Sequence, residues 1–196
     1  SLVLLSQASR IMGEAAFAEI RKGFRQIAQV AAAHPGSQVS VLTYATTPKR
    51  LLERGSPAAV EGVLSKLVAD ESATEMHLID ALQTAIDLLS QPGNAAAKHI
   101  IVVSDGIDVS RERTRFYQLG HRAQAAGVVI TSLGLNPIDA TPLRNLEETS
   151  KRSFGTTRRA SNLGGFTAQL AAVPAELQQQ YVLTVRPNFP VDGEEH

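Results

Sequence analysis

Two hydrophobic patterns alternate along this chain. Runs of consecutive apolar residues occupy positions 2–5, 100–103 and 128–130. Such runs are typical of strands that are buried on both faces of a parallel sheet. Between them, apolar residues recur every three or four positions, which predicts amphipathic helices. Three of these stripes are Phe17, Ile20, Phe24, Ile27 and Ala31; Leu78, Leu82, Ala85 and Leu89; and Phe166, Leu170, Val173 and Leu177.

Turn and cap residues predict where several of these elements begin and end. Ser56-Pro57 and Thr141-Pro142 each place a capping hydroxyl before a proline at the first helical position. Pro174 predicts a break in the last helix. Residues 38–43 alternate between polar and apolar, which predicts a half-buried strand, with 49–53 as a short antiparallel edge partner.

The predicted order of elements is β-α-β-β-α-α-β-α-β-α-(β)-α-β. This order predicts an α/β fold of the Rossmann-like, three-layer (α-β-α) type, with a doubly wound, mostly parallel sheet and one antiparallel edge strand. Ligands of such sheets bind at the carboxyl ends of the strands, where the strand order reverses. The loops expected there are 6–13, 70–77, 104–111 and 135–141.

Composition narrows the classes of function. The 196 residues suit one domain, and 43% hydrophobic with 19% charged residues is ordinary for a globular chain. A formal net charge of +0 gives no reason to expect a nucleic-acid partner. No apolar run approaches the roughly 20 residues of a membrane helix, so we expect no membrane insertion of this stretch. The absence of cysteine excludes disulfides, thiolate metal sites and cysteine nucleophiles.

Catalytic signatures are missing from the sequence. No glycine-rich dinucleotide motif, Walker loop or H-E-x-x-H motif occurs, and the five histidines are scattered. An enzyme on this type of sheet would need a nucleophile and a base converging at the carboxyl edge, and the sequence suggests no such pair. We therefore predict that the chain is not an enzyme.

Four segments resemble the von Willebrand factor type A (VWA) family. The strand and Ser-rich loop ending in Met12-Gly13 resemble its opening, and 100–108 resembles its fourth strand with a Ser-Asp-Gly turn. Residues 78–82 resemble the helix after the family's threonine-bearing loop. Residues 177–183 resemble the last helix and strand of bacterial members, notably acidobacterial VWA-related proteins. The resemblance implies a domain over 1–186, with 187–196 leading toward a further strand or domain.

The resemblance also implies a metal-ion-dependent adhesion site on the loops after the first, second and fourth strands. Hydroxyl and carboxylate oxygens hold Mg²⁺ there, and an open position takes a carboxylate from a partner. The family's first loop reads Asp-x-Ser-x-Ser-Met-Gly, and two registers are possible in this chain. If the Asp directly follows the strand, it corresponds to Ser6, and the serines correspond to Ala8 and Arg10.

The other register is set by Met12-Gly13. It places Gln7 at the family's Asp, and Ser9 and Ile11 at the two serines. Either register leaves few oxygen ligands, because Mg²⁺ takes about six of them in near-octahedral geometry.

The second and fourth loops supply little more. Counting back from Ala81 places Met76 at the family's threonine, with Thr74 two residues away. Asp105 is the clean match, and the remnant positions are Ser6, Ser9 and Asp105. We therefore expect no cofactor, and a Mg²⁺ site is the disfavoured alternative.

Two charged residues suggest specific local contacts. In the first register Arg10 would point its guanidinium toward Asp105 and stand where the cation stood, as a charge-assisted pair. Asp108 is predicted to cap a helix that starts near 109–112.

The leading prediction is a protein-binding or adhesion-type module with an unidentified protein partner. The alternatives are a metal-dependent VWA domain with a non-standard site, a structural domain of a larger extracytoplasmic protein and, less favoured, an enzyme on a Rossmann-like sheet. Resemblance to bacterial members implies an extracytoplasmic or secreted protein, and both ends of the chain suggest a piece of a longer one. The predicted partner-binding residues are Ser6, Gln7, Ser9, Arg10, Thr74, Glu75, Met76, His77, Asp105 and Asp108.

Overall fold

A computed structural model describes residues 1–95, 97–110, 112–136 and 141–179. The strands are β1 (Leu2–Gln7), β2 (Val39–Tyr44), β3 (Pro48–Gly55), β4 (Lys98–Ser104), β5 (Val128–Leu135) and β6 (Thr157–Ala160). The α-helices are α1 (Gly13–Ala32), α2 (Leu78–Ser90), α3 (Arg113–Ala125), α4 (Leu143–Arg152) and α5 (Leu163–Gln178). Two 3-10 segments cover Arg10–Met12 and Pro57–Lys66.

The six strands form one sheet in the order β3-β2-β1-β4-β5-β6. Among these strands only β3 runs antiparallel to its neighbour, which confirms the predicted fold class and the edge strand. From β1 the chain builds outward to β2 and β3, and then returns to add β4, β5 and β6 on the other side. The strand order therefore reverses between β1 and β4, and their carboxyl ends flank the crevice where such sheets bind ligands.

Helices cover both faces of the sheet and explain the uninterrupted apolar runs. In β1, Leu4 packs into the core beneath α1 and α5, whereas Val3 and Leu5 pack into the core beneath α2 and α3. All three side chains are fully buried. A strand that is covered on both faces has no side turned to solvent, so polar residues do not alternate with apolar ones and its sequence is apolar throughout.

Three helix predictions need correction. The segment after Ser56 is a 3-10 helix rather than an α-helix, and the Ser56 side chain makes no capping bond. The N-cap of α4 is Pro142 instead of Thr141, so that helix starts at Leu143. Pro174 lies inside a continuous α5. Burial of Leu170 and Val173 on the core side holds α5 together across the one hydrogen bond that proline removes.

The predicted strand at 181–183 and the extension to 196 lie outside the described residues, so the boundary at 186 stays a prediction. Among the helices that the structure describes, none combines the length and hydropathy required to cross a bilayer.

Candidate functional site: the rim where β1 and β4 end

A reciprocal hydrogen-bonded pair joins the ends of the two central strands. Gln7 is the last residue of β1, and Asp105 directly follows β4. The strands run parallel side by side, so both side chains arrive at the same edge of the sheet. The Gln7 amide Nε2 donates to Asp105 Oδ2 at 2.8 Å, and the Asp105 backbone N–H donates to Gln7 Oε1 at 2.8 Å. This pair is buried, with Gln7 0% and Asp105 3% exposed.

The buried hydroxyls of Tyr44 and Ser104 are hydrogen-bonded to each other and to this pair. The Tyr44 hydroxyl, at the end of β2, donates to Ser104 Oγ at 2.7 Å. Ser104 Oγ donates in turn to Gln7 Oε1 at 3.2 Å and accepts the Gly106 N–H at 2.9 Å. Both side chains are fully buried. The hydroxyls thus extend the pair into a buried network in which the polar groups are hydrogen-bonded. Such a network favours a single arrangement of the carboxyl edge of the sheet, called the rim below and formed by residues 6–12, 74–77 and 104–110.

The electrostatics of this network follow from burial. Burial raises the pKa of the Asp105 carboxyl, against hydrogen bonds from the Gln7 amide, the Ile107 N–H and its own N–H that lower it. Burial also raises the pKa of the Tyr44 hydroxyl well above its ordinary value, and the nearby Asp105 charge adds to this effect. Tyr44 is therefore a neutral hydrogen-bond donor at neutral pH.

Backbone geometry fixes the loop that carries Asp105. The Ile107 N–H donates to Asp105 Oδ1 at 2.8 Å, which closes a turn. Gly106 has a φ of 83°, and a Cβ there would lie 2.7 Å from the Pro142 carbonyl carbon. Glycine is required for both reasons, because a side chain would be strained and would collide with the backbone before α4.

Asp108 caps a helix, but not the predicted one. Its Oδ2 accepts the N–H of Ile79 in the first turn of α2 at 2.8 Å, and its Oδ1 accepts from Ser110. The Val109 N–H also donates to the Met76 carbonyl at 2.8 Å. A helix does start near the predicted residues 109–112, since α3 begins at Arg113 with Glu112 as its N-cap, but Asp108 does not cap it. Asp108 instead satisfies an N-terminal N–H of a neighbouring helix, which joins the loop after β4 to the loop before α2.

The predicted first-loop residues separate into buried and exposed groups. Ser6 is fully buried, and its Oγ donates to the Gln7 carbonyl. Ser9 is 5% exposed, and its Oγ accepts the Ile11 N–H at 3.2 Å. Arg10 lies on the surface with its side chain 68% exposed.

The hypothesis that Arg10 pairs with Asp105 is wrong. Arg10 Nε lies 3.0 Å from Glu71 Oε2, and both side chains are largely exposed. Asp105 Oδ2 accepts from Gln7 Nε2 instead. A guanidinium in solvent also avoids the cost of burying a second charge beside Asp105.

Among the described hydrogen bonds, none joins the second loop, residues 74–77, to Gln7 or Asp105. Thr74 and Glu75 are exposed, and Met76 is half-buried against the core beneath α2. His77 Nδ1 lies 3.3 Å from Asp80 Oδ2, and its Nε2 lies 3.5 Å from Glu75. Within the described ranges, no three acidic or histidine side chains converge as a metal-binding group.

The described rim residues offer few of the oxygen ligands that Mg²⁺ takes. The register set by Met12-Gly13 places Gln7, which contacts Asp105, at the family's Asp, and it places Ser9 and Ile11 at the family's serines. Ile11 has no side-chain oxygen and is 72% exposed. The group facing the Asp105 carboxylate is an N–H donor, whereas Mg²⁺ requires oxygen ligands.

Sequence reasoning missed Tyr44 and Ser104, which complete the buried network. A signal was available, because each is a polar residue at the carboxyl end of a predicted central strand. The predicted loop 104–111 contains Ile107 and Val109, but these exposed apolar side chains are not among the predicted partner-binding residues.

Comparisons with known proteins agree with this architecture. The profile of the von Willebrand factor type A domain matches residues 1–169. A search of curated proteins gave no match. Among solved structures, similarity extends to a von Willebrand factor type A protein from Catenulispora acidiphila, with a TM-score of 0.70, 15% identity and 89% of this chain covered. This chain spans 41% of that protein's length.

Two further structures show the range of the similarity. The SpRpn10 VWA domain has a TM-score of 0.71 at 13% identity, with 88% of this chain and 93% of that domain covered. The pilus adhesin SpaC from Lactobacillus rhamnosus GG has a TM-score of 0.70 at 12% identity, with 90% of this chain and 29% of the adhesin covered. These identities establish the fold alone. The profile match covers most of the chain, and this chain therefore belongs to the von Willebrand factor type A domain family.

Proposed function

We propose that this chain is a protein-binding module that contacts its partner with the side chains of the rim, without a shared cation. The observation that carries the proposal is a group of exposed apolar side chains on the loops after β1 and β4. Ile11 is 72% exposed, Ile107 41% and Val109 42%. These loops leave the sheet at the edge where ligands of this fold bind.

The chemistry of the rim favours a protein surface as the ligand. Single exposed apolar residues are common on protein surfaces, but these three belong to two loops that the pair of Gln7 and Asp105 joins. Apolar anchors within a polar surround are typical of the centre of a protein interface. Charges of both signs lie nearby, in Arg10 with Glu71. A mixed surface of this kind gives no attraction for a nucleic-acid backbone.

The predicted binding residues divide by depth in this proposal. Arg10, Thr74 and Glu75 are exposed and would touch the partner, together with the half-buried Met76 and His77. The buried members shape the rim from beneath, and they are Ser6, Gln7, Ser9, Asp105 and Asp108. VWA domains are interaction modules in general, and a pilus adhesin is among the structures of similar fold.

The experiment compares charge substitutions at exposed apolar positions on and away from the rim. The rim variant is Ile11→Asp with Ile107→Asp. The control is Phe154→Asp, since Phe154 is 76% exposed and lies before β6, at the amino edge of the sheet. Immobilised wild type and variants are incubated with lysate and secreted fraction of the source cells, in EDTA and in parallel in Mg²⁺, and bound proteins are quantified by mass spectrometry.

We expect proteins that wild type and Phe154→Asp retain equally and that the rim variant loses. Binding that disappears in EDTA but returns with Mg²⁺ would favour the non-standard metal site instead. The loss counts only if the melting temperature of the rim variant matches that of wild type. Equal retention by the rim variant would contradict the proposal.

A further inference from the structure

We propose that the side-chain amide of Gln7 replaces a divalent cation as the group that holds Asp105 and joins the two central loops of the rim. This inference deepens the proposed function and rests on it for its relevance to partner binding. In the isolated chain, hydrogen bonds hold the binding surface in place at any cation concentration.

Both oxygens of Asp105 already accept hydrogen bonds. Oδ2 accepts from Gln7 Nε2 at 2.8 Å, and Oδ1 accepts from the Ile107 N–H at 2.8 Å. A cation that approached Oδ2 would meet the Gln7 Nε2 group beside it, which is an N–H donor and cannot serve as a ligand. Turning that amide away to admit oxygen ligands would leave a buried N–H without its acceptor, which is unfavourable, so the amide opposes a cation beside Asp105.

Gln7 cannot rotate its amide oxygen toward a cation. Its Oε1 accepts from the Asp105 N–H at 2.8 Å and from Ser104 Oγ at 3.2 Å. A flipped amide would present N–H groups to the Asp105 backbone N–H and would leave two donors facing each other. The network therefore fixes which amide atom faces the carboxylate.

The remaining first-loop positions supply no substitute ligand set. The Oγ of Ser9 is engaged by the Ile11 N–H, and Ile11 presents hydrocarbon to solvent. A cation drawn to Asp105 would thus find an amide N–H and a methyl-rich side chain where the family has a carboxylate and a hydroxyl.

Restoring the missing oxygens tests this inference directly. The restored variant is Gln7→Asp with Ile11→Ser, and Ile11→Ser alone is the matched control. Melting temperatures are measured in EDTA, in about 10 mM Mg²⁺ or Mn²⁺, and in NaCl of equal ionic strength; bound Mn²⁺ is counted by electron paramagnetic resonance.

We expect wild type and Ile11→Ser to melt at the same temperature in Mg²⁺ and NaCl and to bind no Mn²⁺ saturably. The restored variant should melt lower in EDTA and rise by about 5–10 °C at a cation concentration a hundredfold above its dissociation constant.

Two outcomes would overturn the inference. The first is saturable Mn²⁺ binding by wild type that Asp105→Ala abolishes. The second is a restored variant that is folded in EDTA but gains nothing from either cation. If the restored variant does not fold, the wild-type Mn²⁺ titration still decides. None of these measurements uses a partner, so failure here is distinct from failure of the proposed partner binding.

Discussion

Replacing Gln7 with glutamate changes a single heavy atom, because oxygen takes the place of Nε2. The heavy-atom shape of the side chain is kept, but the donor to Asp105 Oδ2 is lost and two carboxylates then lie about 3 Å apart. Hydrogen bonds to charged groups contribute about 1.5–3 kcal/mol. A buried pair of like charges also takes up a proton rather than stay doubly ionised.

Proton uptake sets the upper limit of the cost. Glutamate ionises near pH 4.3 in an unfolded chain, and each pH unit above that adds about 1.4 kcal/mol to the cost of holding the proton. At pH 7 the Gln7→Glu variant should therefore lose at most about 4 kcal/mol of unfolding free energy. At pH 4.5 the new carboxyl of the Gln7→Glu variant is protonated and can donate to Asp105 as the amide did, so the loss falls below about 1 kcal/mol.

The sign follows from the linkage between protonation and folding. In the folded Gln7→Glu variant the pair of carboxyls has a raised pKa. The stability that this pair contributes to folding is therefore present at low pH and is lost as the pH rises through that pKa. The other groups facing position 7 are Tyr44, neutral because burial raises its pKa, and Ser104, which does not titrate. The charge of Asp108 also raises the pKa of the Tyr44 hydroxyl.

Urea unfolding at pH 4.5 and 7.5 measures the effect in wild type, Gln7→Glu and Gln7→Ala. We expect the gap between wild type and Gln7→Glu to widen by at least about 2 kcal/mol between the two pH values. The gap to Gln7→Ala should widen less, because that variant loses only the amide hydrogen bond that lowers the Asp105 pKa and adds no second carboxyl. A Gln7→Glu variant as stable as wild type at pH 7.5 would refute the reasoning, because the amide donor would then not be holding Asp105.

Two other predictions concern single side chains. Asp108→Ala should lower the unfolding free energy by about 1–3 kcal/mol, since it removes the acceptor for the buried Ile79 N–H, and amide exchange at Ile79 should accelerate; unchanged protection of that amide would exclude the capping interaction. Burial lowers the pKa of His99 to about 4, with the nearby terminal ammonium as a second cause. Its folded pKa lies below its unfolded value of about 6.5, so stability should rise by up to about 3 kcal/mol from pH 4 to pH 6.5. His99→Gln should flatten that rise in urea titrations, and an equally steep rise in the variant would rule out His99 as its source.

The sheet could be predicted from sequence because burial on both faces leaves a strong pattern. Residues 100–103 contain only Ile and Val, and no helix pattern competes with them. The sequence predicts an α-helix where the structure has a 3-10 segment at Pro57–Lys66, because a serine before a proline gives the same signal for either helix type. It predicts a break at Pro174 because the local cost of proline is visible in the sequence, whereas the packing that outweighs this cost is not.

The partners of the site residues could not be predicted, because they depend on register between distant segments. Gln7 and Asp105 are 98 positions apart. Asp108 contacts Ile79, which is 29 positions before it, and a capping aspartate is ordinarily assigned to the helix that follows it. A charge-based argument also favoured Arg10 as the partner of Asp105, although the first loop turns that side chain toward Glu71.

The choice of an amide over a guanidinium at this position has a physical consequence for the rim. A buried pair of Arg10 and Asp105 would have required desolvation of two charges, which can exceed their attraction. The Gln7 amide supplies a donor without a charge, so only Asp105 has to be desolvated. The charge of Asp105 is then uncompensated by any neighbouring cation among the described residues, and burial accordingly raises its pKa. A bound divalent cation would have the opposite effect, since an opposite charge at that distance favours the ionised carboxylate. A carbon-13 titration of the Asp105 carboxyl in EDTA and in Mg²⁺ separates the two cases. We expect the same pKa in both, and a pKa that Mg²⁺ lowers would indicate that a cation is its partner.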